Sequence, residues 1–289
     1  MKRWIPTAII VLVGVMAIVA AQWQRIATRP SAQAVLSAGA DAQHELTRLP
    51  AHLDRMSDAD EIAAGNQIAA SYERMWPLST SQDSAEEAYL TAVGTSVAAH
   101  ARRWLPYRFH YIPNRSFVNA FALPGGHVFV GRGLLDLMHS EDALAAVLGH
   151  EIEHIDLRHC AERAQAEARL RQLGTLGALV DLPVQVFMAG YSKDQELEAD
   201  RDGTTLAVEA GYSPNGVLQL FDEFRKMELR SGETRTPQSP VDESTQLSLE
   251  TLAGYFQSHP PSEERADQIR RLIRSQQWPT PQLRPLQRP

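Results

Sequence analysis

The chain has 289 residues, a net charge of -7 and 44% hydrophobic residues, enough for one large domain or two small ones with an ample core. The acidic balance and the lack of a basic stripe argue against a nucleic-acid partner. Cys160 is the only cysteine, which excludes an internal disulfide and leaves the redox compartment open; it reads as a small core or surface residue rather than a nucleophile.

Lys2 and Arg3 precede an uncharged, apolar run from Trp4 to Trp23. A bilayer-spanning helix needs about 20 apolar residues, and positive charges in front with Trp at both ends fit a span whose N-terminus stays inside. A cleaved signal peptide is the rival, because Val19-Ala20-Ala21 resembles a small-residue cleavage site. Residues 1–26 are thus expected to be a membrane anchor or a signal peptide, with the anchor favoured because the run is long for a signal sequence. Either way the remainder is expected outside the cytoplasm, in a bacterial periplasm, tethered to the inner membrane or soluble after cleavage. Residues 27–50, polar and Ala-rich with Pro30 and Pro50, read as a tether to a domain over 51–277.

Asp54 to Trp76 and Asp83 to Trp104 carry helical periodicity, and Tyr107 to Ile112 alternates like a strand. From Phe117 to Val130, two β-prone runs flank Pro124-Gly125-Gly126, which predicts a hairpin. Its first strand, with Asn119, Ala120 and Phe121, reads either as ordinary sheet or as an edge that pairs with an extended substrate.

Ser140 to about Arg163 is an apolar-periodic run without Pro. It contains His150-Glu151-Ile152-Glu153-His154. Residues i and i+4 share a helix face, so both imidazoles can meet one metal with Glu151 beside its open position. In H-E-x-x-H the histidines bind zinc and the glutamate is the base. Zinc is required because bulk water is a poor nucleophile at neutral pH. The same five residues also read H-x-x-E-H, with Glu153 as base, and spacing does not separate the two.

Leu170 to Tyr191 is apolar but broken by Arg171, Asp181 and Pro183, and reads as a hydrophobic loop or short helix pair. Ser192 to Gln195 is a capping box, and a helix to about Ala210 follows. Glu196 and Asp200 share a face of it. A catalytic zinc takes a third protein ligand, which Glu196 can supply, while Asp200 can accept the second N–H of a ligand imidazole. The plainer alternative is an acidic first turn facing solvent. Ser213-Pro214 opens a further helix to about Arg230, a polar stretch runs to 246, and a short helix is expected over 247–257. A last helix starts near Pro261, and the Pro-rich tail from 278 reads as disordered.

With these pieces placed, the chain resembles the zinc metallopeptidases that include HtpX, the CAAX prenyl endopeptidase and BepA, the HExxH gluzincins of peptidase family M48. Four blocks carry the resemblance, in the family's order: Asn119 to Gly126, His150 to His154, Glu196 to Asp200, and His259-Pro-Pro-Ser-Glu-Glu-Arg265. The resemblance implies an α+β, mostly helical zincin-like fold with a small β-sheet beside the HExxH helix. It implies one Zn2+ per subunit held by His150, His154 and Glu196, with Glu151 as base and Asp200 orienting a ligand. It makes Asn119, Ala120, Phe121 and Gly126 part of the substrate-side strands, and His259 a regulatory fourth ligand; free of that role, His259 reads as an oxyanion stabiliser or as an ordinary histidine at a helix entry. Arg265 then looks like an anchor for its block. The expected function is a membrane-tethered zinc endopeptidase acting on extracytoplasmic proteins, misfolded or membrane-associated, in protein quality control. The alternative is a chaperone or assembly factor whose zinc site is latent behind His259. Only one clear span is present, unlike the multi-span members, so heat-shock and prenyl-processing roles do not transfer. Leu157 and Cys160 stand where a metzincin needs Gly and His.

Overall fold

The computed structural model describes residues 56–78, 80–170, 185–188, 190–232, 259 and 263–289. The apolar run at 4–23, the tether, the core of the apolar stretch at 170–191 and the short helix expected over 247–257 lie outside these residues. Among the described residues no helix is long and apolar enough to cross a membrane.

The fold is mostly helical with one small sheet. Helix α1 (Asp58–Met75) begins at Ser57, whose hydroxyl accepts the Asp60 amide, with Asp58, Asp60 and Glu61 in its first turn. Helix α2 (Ser81–Ala98) starts from a capping box between Thr80 and Asp83. It stops six residues short of the expected Trp104. Arg102 and Arg103 donate their backbone amides to the Asp156 carboxylate at 3.0 and 2.7 Å, which ends the helical ladder there.

Strands β1 (Arg108–Ile112), β2 (Ala120–Leu123) and β3 (His127–Gly131) form a sheet in the order β1-β3-β2. The expected hairpin is β2–β3, antiparallel, and it turns through Gly125 and Gly126 at φ 80 and 112°. β1 pairs with β3 in parallel, Arg108 opposite His127. Alternation gives the sheet two buried faces. Phe109, Tyr111, Ala122 and Val130 pack with Leu90, Val97, Leu144 and Leu148, against α2 and the helix of the motif. Ile112, Phe121, Leu123 and Phe129 pack with Ile68, Tyr72 and Phe187, against α1 and the short α6 (Gln185–Met188).

After a one-turn α3 (Arg132–Leu135), the periodic run at 140–163 is two helices rather than one: α4 (Glu141–Asp156) and α5 (His159–Leu170). The break is at Arg158, which is left-handed at φ 67°. Its guanidinium holds it there, donating to the Met56 carbonyl at 3.2 Å and to Glu61 at 3.1 Å and pairing with Asp58. Every residue of α4 from Asp142 to Asp156 is buried. α7 (Lys193–Glu209) packs across it with Gly149 against Gly203: a Cβ on Gly203 would lie 2.5 Å from the Gly149 carbonyl carbon. α8 (Asn215–Gly232) and α9 (Glu263–Ser275) complete that side through Val217 and Ile269.

The Pro-rich tail is not disordered as its composition suggests. Arg284 donates its amide to Asp142 at 2.6 Å, Pro285 bridges to Ser140, and Leu286 packs against the main core. Arg288 pairs with Glu86 at 2.8 Å and Asp136 at 2.5 Å. Proline removes donors and regular structure, but it does not prevent a chain from being pinned by its arginines.

Candidate metal centre and active site

α4 carries His150 and His154 one turn apart, with their Nε2 atoms 3.0 Å from each other. α7 brings Glu196 to the same point, 3.5 Å from each of these nitrogens. His259 closes the group: its Nδ1 is 3.1 Å from His150 Nε2 and 3.1 Å from Glu196 Oε1. The candidate ligand atoms of all four lie within 4.8 Å of one another, and none of the four residues is more than 4% exposed. The sequence motifs therefore meet in space across 109 residues.

Asp200 sits where its spacing from Glu196 suggests, 2.9 Å from His150 Nδ1. Arg265 on α9 holds Asp200 through Nε at 2.5 Å and Nη2 at 2.7 Å, and reaches Glu196 with Nη1 at 3.1 Å. Burial pushes the Glu196 and Asp200 carboxyls upward. The cations facing them outweigh it, His259 and Arg265 for Glu196 and Arg265 for Asp200, and both are held below the usual carboxylate range. Burial lowers the His154 imidazole well below its ordinary value, so it is neutral and offers a lone pair.

These residues fit a bound cation. Asp200 is an acceptor, so His150 donates from Nδ1 and turns Nε2 to the cluster. His154 Nδ1 faces His159, and its Nε2 turns toward the same point as that of His150. Two imidazole nitrogens 3.0 Å apart, each 3.5 Å from one carboxylate, are spaced as ligands of a single ion. Two imidazoles and a carboxylate with one further position are the donor set of a catalytic zinc site.

Glu151 and Glu153 part company. Glu151 is fully buried and neither carboxylate oxygen has a hydrogen-bond partner among the described residues. His259 Nε2 stands 3.4 Å away, and burial raises the carboxyl above its usual range. Glu153 lies on the opposite side of α4 in an ion pair with Arg102 at 2.5 Å. Burial pushes its carboxyl up to about 8, against the pull of Arg102. The geometry puts Glu151 with the cluster and Glu153 in a structural ion-pair network with Arg102 and Asp156.

The expected substrate strand is an edge of the sheet, because β2 pairs only with β3 among the described strands. The Asn119 carbonyl accepts the Gly131 amide, so by antiparallel alternation Ala120 and Ala122 aim their backbone groups at the open edge. The Ala122 carbonyl already accepts the Cys160 thiol, at 3.6 Å. Phe121 points into the core, stacked on Phe129. Gly126 is committed to the sheet, its carbonyl accepting the Arg108 amide at 2.8 Å.

Two contacts have no signature in the sequence. The Tyr191 ring stacks on His154 at 3.8 Å, with the Arg163 guanidinium 4.1 Å over Tyr191 and the Tyr191 hydroxyl 3.2 Å from Cys160 Sγ. His159 meets His154 and reaches back to Glu198 on α7 at 3.5 Å, and its hydrogen bond holds the Glu198 carboxyl below the usual range. The periodicity at 140–163 would have put His159 off the metal face of a continuous helix.

Known proteins carry the same segment. The chain is 34% identical over 144 residues to a putative beta-barrel assembly-enhancing protease of Vibrio cholerae, covering 42% of this chain and 29% of that protein. It is 36% identical over 123 residues to the mitochondrial metalloendopeptidase OMA1 of Schizosaccharomyces pombe, covering 39% of this chain and 36% of the relative. Against the metalloprotease YcaL of Escherichia coli it is 32% identical over 173 residues, 55% of this chain and 60% of YcaL. The match thus spans under two thirds of each relative's own length. The model of peptidase family M48 matches residues 84–273, a range that holds the sheet, the buried four-residue cluster and Arg265, and the chain belongs to that family.

Proposed function

We propose that this protein is a zinc-dependent endopeptidase that hydrolyses peptide bonds of extracytoplasmic proteins, misfolded or membrane-associated, as part of protein quality control. The observation that carries the hydrolytic reading is Glu151: a buried carboxylate without a hydrogen-bond partner among the described residues, beside a converging pair of imidazole nitrogens and Glu196. His150, His154 and Glu196 would hold the ion. Zinc supplies a lowered pKa for the attacking water and polarisation of the scissile carbonyl. Glu151 takes the water proton and passes it to the leaving amine, and its burial favours the protonated state that this return needs. An extended substrate backbone pairs with the outward groups of Ala120 on β2. The tether rests on the charge-free run at 4–23, and with it the extracytoplasmic compartment. The quality-control role is suggested by the relative named a beta-barrel assembly-enhancing protease.

Purified full-length protein should hold one zinc per chain and degrade an unfolded model protein. A chelator should abolish cleavage, and added zinc should restore it. A preparation that refuses zinc, or that cleaves equally well after chelation, overturns the reading.

His259 supports a second reading, an assembly factor with a latent site. What supports it is that the His259 imidazole lies on both His150 and Glu196 and is 2% exposed, the position a latch over the cluster would take. On that reading His259→Ala raises turnover several-fold. Unchanged turnover removes the latch; lower turnover removes it too and makes His259 a stabiliser of the reaction.

A further inference from the structure

We infer that His159 is a positioning residue for the metal ligand His154, accepting its Nδ1 proton, and that Glu198 fixes the tautomer in which His159 can do so. The inference rests on the zinc-site reading above.

The argument begins at Arg158. On an unbroken helix, the fifth residue after His154 lies well over a quarter-turn away from it. The left-handed backbone of Arg158, φ 67°, breaks the helix and returns the chain, so His159 Nδ1 comes to 2.9 Å from His154 Nδ1. A strained, non-glycine residue held by three acceptors at this point marks a position the fold maintains against a local cost.

The protons then follow from valence. His154 Nε2 faces His150 and Glu196, so it is the nitrogen that would meet the metal. A neutral imidazole with a bare Nε2 carries its proton on Nδ1. That proton points at His159 Nδ1, which must therefore be bare, so His159 carries its own proton on Nε2. There Glu198 Oε2 accepts it, at 3.5 Å. The chain of donors runs from His154 through His159 to a carboxylate, and His159 is 4% exposed, so water does not replace it.

The two histidine ligands are thereby supported unequally. His150 donates directly to Asp200, which Arg265 fixes. His154 donates to a neutral imidazole whose far end rests on a carboxylate that is 42% exposed. Helix α7 supplies all three carboxylates: Glu196 to the metal, Asp200 behind His150, and Glu198 behind the histidine that backs His154. This gives Glu198 a function inside the motif that its neighbours alone do not explain.

The test is zinc affinity of the full chain by competition with a chromophoric chelator, with thermal melting of the zinc-free protein alongside. Loss of a partner behind a ligand histidine typically weakens metal binding by about 10–100-fold. His159→Leu should therefore lose at least about tenfold, with little change in the zinc-free melting temperature. His159→Asn, whose side-chain oxygen replaces Nδ1 as acceptor, should recover most of the loss, and Glu198→Gln should weaken binding by only a few-fold. Wild-type affinity in His159→Leu overturns the inference while leaving the zinc site intact. Equal losses in the Leu and Asn variants, with lowered melting of the zinc-free protein, assign His159 to packing and also overturn it. Failure of the wild type itself to bind zinc removes the underlying reading, and this one with it.

Discussion

Glu151→Gln is expected to cut peptide hydrolysis by about 10²–10⁴-fold while zinc content stays at the wild-type level. The amide keeps the size of the carboxyl but takes no proton from water. On the proposed reading zinc stays, because the candidate ligands are drawn from His150, His154, Glu196 and His259, and Glu151 is not among them. Stability gives a second signature. A buried carboxylate without a hydrogen-bond partner among the described residues contributes nothing favourable to folding, so the neutral amide should melt at the same temperature or higher. The comparison variant is Glu153→Gln. It removes the partner of Arg102, whose side chain is 55% exposed and keeps Asp156 and Asp202, so it should cost about 1 kcal/mol of stability and spare activity. The measurement is turnover of an unfolded substrate, metal content and melting on the three proteins. An active Glu151→Gln beside an inactive Glu153→Gln would exchange the roles of the two carboxylates.

Much of this centre is legible in the sequence because its geometry is local to helices. The i, i+4 spacing puts His150 under His154 and Glu196 under Asp200 whatever surrounds them, and Pro124-Gly125-Gly126 dictates a turn. What escapes sequence reading is set between elements. The parallel pairing of β1 with β3 leaves no mark on either strand. Glu153 is distinguished from Glu151 by partners far away in the chain, Arg102 for the one and His259 for the other. The end of α2, the break at Arg158 and the ordered tail share one cause: distant carboxylates, Asp156, Glu61 and Asp142, capture arginine guanidiniums and backbone amides that local rules assign elsewhere. His159 and Tyr191 reach His154 only because that break exists.

The contact between α4 and α7 predicts the second large effect: Gly203→Ala should destabilise the protein by about 3 kcal/mol and weaken zinc binding at the same time. The two helices that carry the candidate ligands His150, His154 and Glu196 meet at two glycines. A Cβ at position 203 would stand 2.5 Å from the Gly149 carbonyl carbon and 2.5 Å from the His150 amide nitrogen. Both obstacles are backbone, so no rotamer change relieves the overlap and the helices must separate. His150 and His154 lie on one helix and Glu196 and Asp200 on the other, so separation pulls apart the ligand set and the Asp200–His150 hydrogen bond together. The melting temperature should fall by roughly 10 °C, and zinc affinity by more than tenfold. Thr205→Ala, on the same helix with its hydroxyl bonded to its own backbone at Arg201, should leave both quantities near wild type. If Gly203→Ala melts and binds zinc like the wild type, the glycine contact does not set the distance between the ligand helices. The affinity loss distinguishes this from ordinary overpacking, because a strain elsewhere in the core would lower the melting temperature without touching the metal.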